Sequence, residues 1–345
     1  MSEPLRVGIV GCGVIAARYV TDSPAFERWS PVACADLDTA LADALATEHG
    51  LRALSVDELI ADPDVELVLN LTPPNAHGPV VGAALAAGKH VYTEKPLAAT
   101  VDEARELVEE AARRGLRLGC APDTFLGSAY ETGRRLIEEG AIGRPLGAIA
   151  TILVGGPDSW HPNAEMFYRA GGGPLLDLAP YYLTAIVSLL GPIECVAGFA
   201  ETPTPQRTLG AGPRAGEIIT VEVPTHAATV LRLEQGALAT LVVSFEARGQ
   251  YLSGLVVHGT EASLVLPDAN AFGGDVILCR GRSDAETVAY ESFGERETRG
   301  LGIDQLVEAL REGRPHRASG DLALHVLEAA EAAVRTAELH RAIEI

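Results

Sequence analysis

Along the first 120 residues, short apolar runs alternate with longer stretches of helical period. Residues 5–10, apolar but for Arg6 and interrupted by Gly8, read as a strand, and a helix is expected over about 14–21. A second short strand over 31–35 leads to an Ala-rich helix over 39–49. A buried strand over 65–71 precedes a helix over 79–87, closed by Gly88 in the position that favours glycine. After a strand over 90–93, Thr100 caps a helix that runs to Arg114, with Glu103 completing a capping box. Gly115 ends that helix and residues 116–120 form one more strand. Strands alternating with helices at this spacing predict a parallel, doubly wound sheet.

Beyond Pro122 the pattern changes. A helix over 129–139 stops at Gly140, and a strand over 148–154 leads into a loop rich in Gly, Pro, Trp and His. One long apolar helix is expected over 175–190, followed by a stretch dominated by strands. Residues 239–246 alternate, with Leu241, Val243 and Phe245 on one face and Thr240, Ser244 and Glu246 on the other. Residues 202–216, rich in Pro, Gly and Thr, read as an exposed loop, and helices over 303–312 and 322–339 close the pattern. The fold class is therefore α/β: a Rossmann domain over 1–121, then an α+β domain over 122–345 on a large, mostly antiparallel sheet. The two closing helices are the part expected to pack back toward the first domain.

Composition narrows the partners. The formal charge of −20 argues against nucleic acid and an anionic membrane surface, which both need a basic face. A dinucleotide is allowed, because backbone amides at a helix end can hold its pyrophosphate. Basic residues are nearly all Arg, and Lys occurs only at Lys89 and Lys95. A position that needs an amine with a tunable pKa cannot use Arg. The cysteines Cys12, Cys34, Cys120, Cys195 and Cys279 lack metal-ligand spacing and read as reduced, mostly buried thiols, with no metal site. With no signal segment and no run long enough to span a bilayer, the cytoplasm is the default expectation.

Gly11-Cys12-Gly13-Val14-Ile15-Ala16 matches G-x-G-x-x-G/A, and it follows a predicted strand and opens a predicted helix, as that fingerprint requires. Gly11 permits the tight turn, Gly13 lets backbone approach the pyrophosphate near Val14 and Ile15, and Ala16 keeps helix and strand close. Asp36 ends the second strand about where a ribose-binding acid is expected. It is followed by Leu37 and Asp38 rather than Ser or Arg, which favours NAD over NADP.

Two further strings, Leu69-Asn70-Leu71-Thr72-Pro73-Pro74-Asn75-Ala76-His77 and Ala87-Gly88-Lys89-His90-Val91-Tyr92-Thr93-Glu94-Lys95-Pro96, resemble the glucose–fructose oxidoreductase, inositol dehydrogenase and rhizopine-catabolism (Gfo/Idh/MocA) family. Gly171-Gly172-Gly173-Pro174-Leu175-Leu176-Asp177 resembles the family's second-domain signature. The resemblance implies a Rossmann domain followed by an open, mostly antiparallel sheet, and hydride transfer between NAD and a sugar or polyol. Thr72, Pro73 and Asn75 would then belong to the cofactor cleft, His77 would cap the helix or line that cleft, and Glu94 would contact the nicotinamide ribose. Lys95 would meet the oxygen of the reacting carbon. An amine there can take the carbinol proton or polarise a carbonyl.

Many relatives carry His four residues after the signature Asp; here the pair is Asp177 and Tyr181, one helical turn apart on the expected helix. The resemblance makes Tyr181 the acid/base candidate, while packing is the alternative for Tyr181 and its neighbour Tyr182. Trp160, His161, Tyr168 and Arg169 offer aromatic faces and polar tips that suit a sugar ring. Relatives use the uncovered sheet face for subunit contact, which implies a homodimer or homotetramer. Two other functions fit the same residues: a non-catalytic NAD or ligand sensor, and an NAD-dependent glycosidase.

Overall fold

A computed structural model describes residues 3–248, 253–281 and 284–345. The chain divides into two compact units, Met1–Leu126 with Phe293–Leu324, and Gly127–Ser292 with His325–Ile345.

In the first unit β1 (Leu5–Val10), α1 (Val14–Asp22), β2 (Trp29–Ala35), α2 (Thr39–His49), β3 (Arg52–Ala53) and α3 (Val56–Ala61) make one half of the fold. β4 (Leu67–Asn70), α4 (Pro74–Ala86), β5 (His90–Thr93), α5 (Val101–Arg114) and β6 (Leu118–Cys120) make the other. The strands lie in the order β3-β2-β1-β4-β5-β6, every pair parallel. The order reverses at β1 and β4, and ligands of such sheets sit beyond the carboxyl ends of the strands at that point. Val7, Ile9, Leu67, Val68 and Leu69 are fully buried, the mark of strands covered on both faces.

Several elements depart from the sequence expectation. The short α3 was not expected, although Ser55 and Glu58 form the reciprocal capping box that Ser-x-x-Glu spells. α4 starts at Pro74 rather than 79, because proline suits the first helical position, and it runs on through Pro79. On α5, Thr100 accepts from the Glu103 N–H at 3.2 Å, but the Glu103 carboxylate accepts from the Ala99 N–H, one residue outside the expected capping box.

The second unit holds α6 (Ser128–Glu138), β7 (Pro145–Leu153), α7 (Pro174–Asp177), α8 (Ala179–Leu190), β8 (Ile193–Glu201), β9 (Gln206–Thr208), β10 (Ile218–Thr220), β11 (His226–Leu233) and β12 (Leu238–Ser244). β13 (Gly254–Gly259), β14 (Ser263–Leu266), β15 (Ile277–Gly281) and β16 (Asp284–Thr287) follow. α9 (Leu301–Glu312) lies in the first unit, α10 (Gly320–Leu339) starts there and ends in the second, and β17 (Ile343–Glu344) ends the chain.

Nine strands form one sheet, β16-β15-β14-β13-β7-β12-β11-β8-β17, antiparallel except for the β7–β12 pair. Ala150, Ile152, Leu231, Leu241, Val243 and Leu255 point to a buried face that α6 and α8 contact. Register places Ile149, Val230 and Phe199 on the opposite face, where they are exposed in this chain.

Two expectations in this unit are corrected. The apolar helix over 175–190 is broken into α7 and α8, because Pro180 has no N–H for the carbonyl four residues back. Residues 202–216 are not simply an exposed loop: β9 lies within them and pairs with β10, and Leu209 and Ile219 join a buried cluster with Tyr168 and Phe245.

Candidate active site

The site residues of the first unit are built at the carboxyl ends of β1, β2, β4 and β5. At Gly11 the backbone turns with φ +96°, and its N–H donates to the Ala35 carbonyl at 2.8 Å. A Cβ here would stand 2.7 Å from the Leu71 carbonyl, so only glycine fits. Beyond Gly13 nothing lies within 4 Å of where a Cβ would be, leaving room for a ligand against the backbone. α1 then begins with no side-chain cap and no acidic residue in its first turn, so its leading N–H groups are unscreened for an anion. Fully buried Ala16 seats the helix on the sheet.

The Asp36 carboxylate is fixed by the same loop. Its Oδ2 accepts from the Cys12 N–H at 2.7 Å and its Oδ1 from the Asp38 N–H at 2.9 Å. Leu37 beside it is exposed, so that neighbour offers no cation for a 2′-phosphate. An open glycine cradle, an uncapped helix start and an oriented acid at the next strand end fit a dinucleotide with an unphosphorylated ribose.

The turns after β4 and β5 are joined by buried polar side chains. Asn70, fully buried at the end of β4, accepts from the Thr72 hydroxyl at 2.7 Å and donates to the Thr93 hydroxyl at 3.1 Å. Its amide also donates to the His77 carbonyl at 3.3 Å, and its own carbonyl accepts from the Glu94 N–H at 2.9 Å. Tyr19, buried on α1, donates its hydroxyl to Glu94 Oε1 at 3.2 Å, while Glu94 Oε2 accepts from the Lys95 N–H at 3.2 Å. Burial, then the Glu94 charge, raises the Tyr19 phenol above its usual range, so it stays a donor. Lys95 is half-buried and its bond to Pro96 is cis. Thr72 is half-buried; Pro73 and Asn75 are exposed at the start of α4.

His77, expected to cap the helix or line the cofactor cleft, is held on both sides by backbone. Its side chain is buried, and both ring nitrogens face backbone carbonyls, Nδ1 that of Pro96 and Nε2 that of Thr72. Lys89, the other lysine, donates to the Asp62 and Val65 carbonyls at 2.7 Å each, a structural role at the end of α3.

In the second unit, Gly171 and Gly173 take positive φ and lead into α7. The Asp177 N–H donates to the Gly173 carbonyl at 3.0 Å, and the Tyr181 N–H to that of Leu178 at 3.2 Å. Asp177 therefore ends α7 and Tyr181 lies in the first turn of α8, so the expected one-turn spacing on a continuous helix does not hold. Asp177 is half-buried and Tyr181 is 8% exposed.

The loop before the glycine run separates into two layers. Trp160 is exposed, and the His161 ring lies edge-on to Trp160 and Phe167, with centroids 5.3 and 5.0 Å apart. Tyr168, by contrast, is fully buried: its hydroxyl donates to Asp158, and its ring packs on Phe245 and the Arg207 guanidinium. Burial and the Asp158 carboxylate push its phenol up. Arg169 is paired with Glu165 and Glu222. Tyr168 thus anchors the loop from within, a correction to its reading as a substrate contact, while Trp160, His161 and the ion-paired Arg169 lie nearer its surface.

Sequence reasoning had given Asn70 and Tyr19 no role. The signal for Asn70 was an amide at the end of an otherwise apolar strand, since a buried amide requires partners. Tyr19 carried no comparable signal among the small residues of α1. All five cysteines are free thiols, four of them buried. Among the described residues no cluster of His, Cys, Asp and Glu could hold a metal ion, and no helix is long and apolar enough to cross a membrane.

Comparison with known proteins agrees with this geometry. Residues 5–121 match the oxidoreductase family with an NAD-binding Rossmann fold, and residues 130–265 match the GFO/IDH/MocA C-terminal domain. The chain belongs to the GFO/IDH/MocA oxidoreductase family and is an NAD-binding oxidoreductase. It is 31% identical to a 1,5-anhydro-D-fructose reductase of Ensifer adhaerens over 75% of each chain. It is 29% identical to the levoglucosan dehydrogenase of Pseudarthrobacter phenanthrenivorans, over 85% of this chain and 83% of that one. Among solved structures, a levoglucosan dehydrogenase in complex with NADH and L-sorbose matches with a TM-score of 0.87 and 25% identity, covering 100% of this chain and 99% of the other.

Proposed function

We propose that the protein is a dehydrogenase or reductase that moves hydride between NAD and a sugar or polyol, with Lys95 handling the proton of the reacting oxygen. The observation that carries this reading is the construction around Lys95: Asn70, His77, Glu94 and Tyr19 all fix the backbone or the carboxylate beside it. The names of the relatives, acting on anhydrofructose and levoglucosan, support a carbohydrate as the substrate class.

The bound dinucleotide supplies the hydride acceptor or donor. Gly11, Gly13, Val14 and Ile15 would hold its pyrophosphate and Asp36 its adenine ribose, which makes NAD the preferred form. Thr72, Pro73 and Asn75 would line the nicotinamide end, and Glu94 would orient that ribose. Lys95 would take the hydroxyl proton when the substrate is oxidised and return it when a carbonyl is reduced. Asp177 and Tyr181 are proposed to serve the same reaction, with Tyr181 as a second proton-transfer group, and Trp160 and His161 to meet the sugar ring. The exposed apolar face around Ile149, Val230 and Phe199 is proposed to be covered in a homodimer or homotetramer.

The test is an absorbance screen for NADH formation with NAD and a panel of monosaccharides, anhydrosugars, inositols and sugar acids. Steady NADH production with at least one free sugar or polyol is expected. Tight NAD binding without turnover on any of them would favour the sensor, and sugar release from glycosides without net NADH would favour the glycosidase.

A further inference from the structure

His77 makes an arrangement that ordinary histidine chemistry restricts. The side chain is 1% exposed, with Nδ1 2.5 Å from the Pro96 carbonyl oxygen and Nε2 2.7 Å from that of Thr72. Carbonyl oxygens only accept, and a neutral imidazole has one N–H and one bare lone pair. Either neutral tautomer would point that lone pair at a carbonyl oxygen at direct contact distance. Both contacts are satisfied only when both nitrogens carry hydrogen. The main chain of the same residue is held as well, its carbonyl accepting from Asn70.

The three partners lie where the first unit's functional turns begin. Asn70 ends β4, Thr72 follows it, and Pro96 directly follows Lys95 after β5. The elements packed on α4 are β4, β5 and α5. The ionisable groups on these elements include Glu94 and Lys95 on the turn after β5, directly before Pro96, and Glu103 on α5. The Glu103 carboxylate lies against Gly78, the residue next to His77, and accepts from the Ala99 N–H.

We propose that His77 is a positioning residue held as the imidazolium, whose two N–H groups clamp the carbonyls of Thr72 and Pro96 and so set the turn carrying Thr72 and Pro73 against the turn carrying Glu94 and Lys95. Its ring contacts are to backbone carbonyls, so it acts through the backbone beside Lys95. The inference rests on the proposed reading of those turns as the nicotinamide end of the site.

Two measurements test it without knowledge of the substrate. In the ¹⁵N,¹³C-labelled protein at pH 7, the His77 ring, assigned by through-bond correlation to its own backbone signals, should show both nitrogens protonated; a single protonated nitrogen overturns the clamp. NADH titrations followed by fluorescence should show binding weakened about tenfold in His77→Gln, which keeps one donor group, and more in His77→Phe, which keeps none. Binding within twofold of the parent in a folded His77→Phe overturns the proposal, and if neither variant folds the spectrum of the unmodified protein decides. Neither readout involves turnover, so a wrong role for Lys95 in proton transfer would leave both outcomes unchanged and can be told apart from a wrong role for His77.

Discussion

The turns after β4 and β5 in the first unit and the segment Gly171–Tyr181 in the second both carry family strings, yet they are held differently. In the first, Asn70, His77 and Tyr19 bind backbone and carboxylate groups into one connected network. In the second, the backbone bonds around Asp177 and Tyr181 step over a helix break at Leu178, two residues before Pro180. A string of residues therefore locates a functional segment in both units, but spacing converts to geometry only where the element is continuous.

The sharpest way to probe the difference is Tyr181→Phe, which keeps the ring and removes the hydroxyl. If both segments serve one reaction, turnover should fall by about 10²–10⁴-fold, the worth of a positioned acid or base, and one limb of the pH–rate profile should vanish. Turnover within a few-fold of the parent would make Tyr181 a packing residue and confine the proton chemistry to the first unit.

A smaller effect is expected at the ribose end. Asp36→Ser combined with Leu37→Arg removes the acid and adds a cation, and should shift the NADP to NAD ratio of kcat/KM by roughly tenfold or more toward NADP. Equal use of both cofactors by the unmodified protein would contradict the role given to Asp36.

Next comes Asn70→Leu, which leaves Thr72, Thr93 and the His77 carbonyl without their buried partner. A loss of about 1–3 kcal/mol in unfolding free energy is expected from denaturant titration. A change below about 0.5 kcal/mol, the range of ordinary surface substitutions, would show that the network is not what holds the first segment.

The smallest effect concerns acid. Burial holds His316, which faces the Leu118 carbonyl in the first unit, down to about 4. An unfolded chain's histidine titrates near 6.5. Its contribution is thus fully present above about pH 6.5 and is lost as pH falls toward 4, where the unfolded chain binds the extra proton. His316→Gln should flatten the fall in Tm over that window, and an unchanged slope would refute the assignment.

Much of this molecule was legible in the sequence, for reasons that differ by element. The strand–helix alternation of the first unit and the glycine fingerprint were readable because burial and turn geometry dictate residue type directly, as at Gly11. The alternation of Leu241, Val243 and Phe245 was readable because a strand's period of two shows each face. Lys89 misled by its rarity: a lysine that donates to two carbonyls looks, in sequence, like one that does chemistry. The burial of Tyr168 and the pairing of Arg169 depend on Asp158, Arg207 and Glu222, which lie far apart along the chain. No local pattern encodes such contacts. The helix break was in principle readable from Pro180, but the surrounding apolar run masked it.

Lys95 carries the proposed chemistry most directly. Purified Lys95→Met should be compared with the parent for NADH affinity by fluorescence and for turnover on the sugar that the NADH screen identifies. NADH affinity within about twofold and kcat lower by about 10²–10⁴-fold are the predicted results. A Lys95→Met protein with near-normal kcat on that sugar would contradict the assignment of the reaction to this turn.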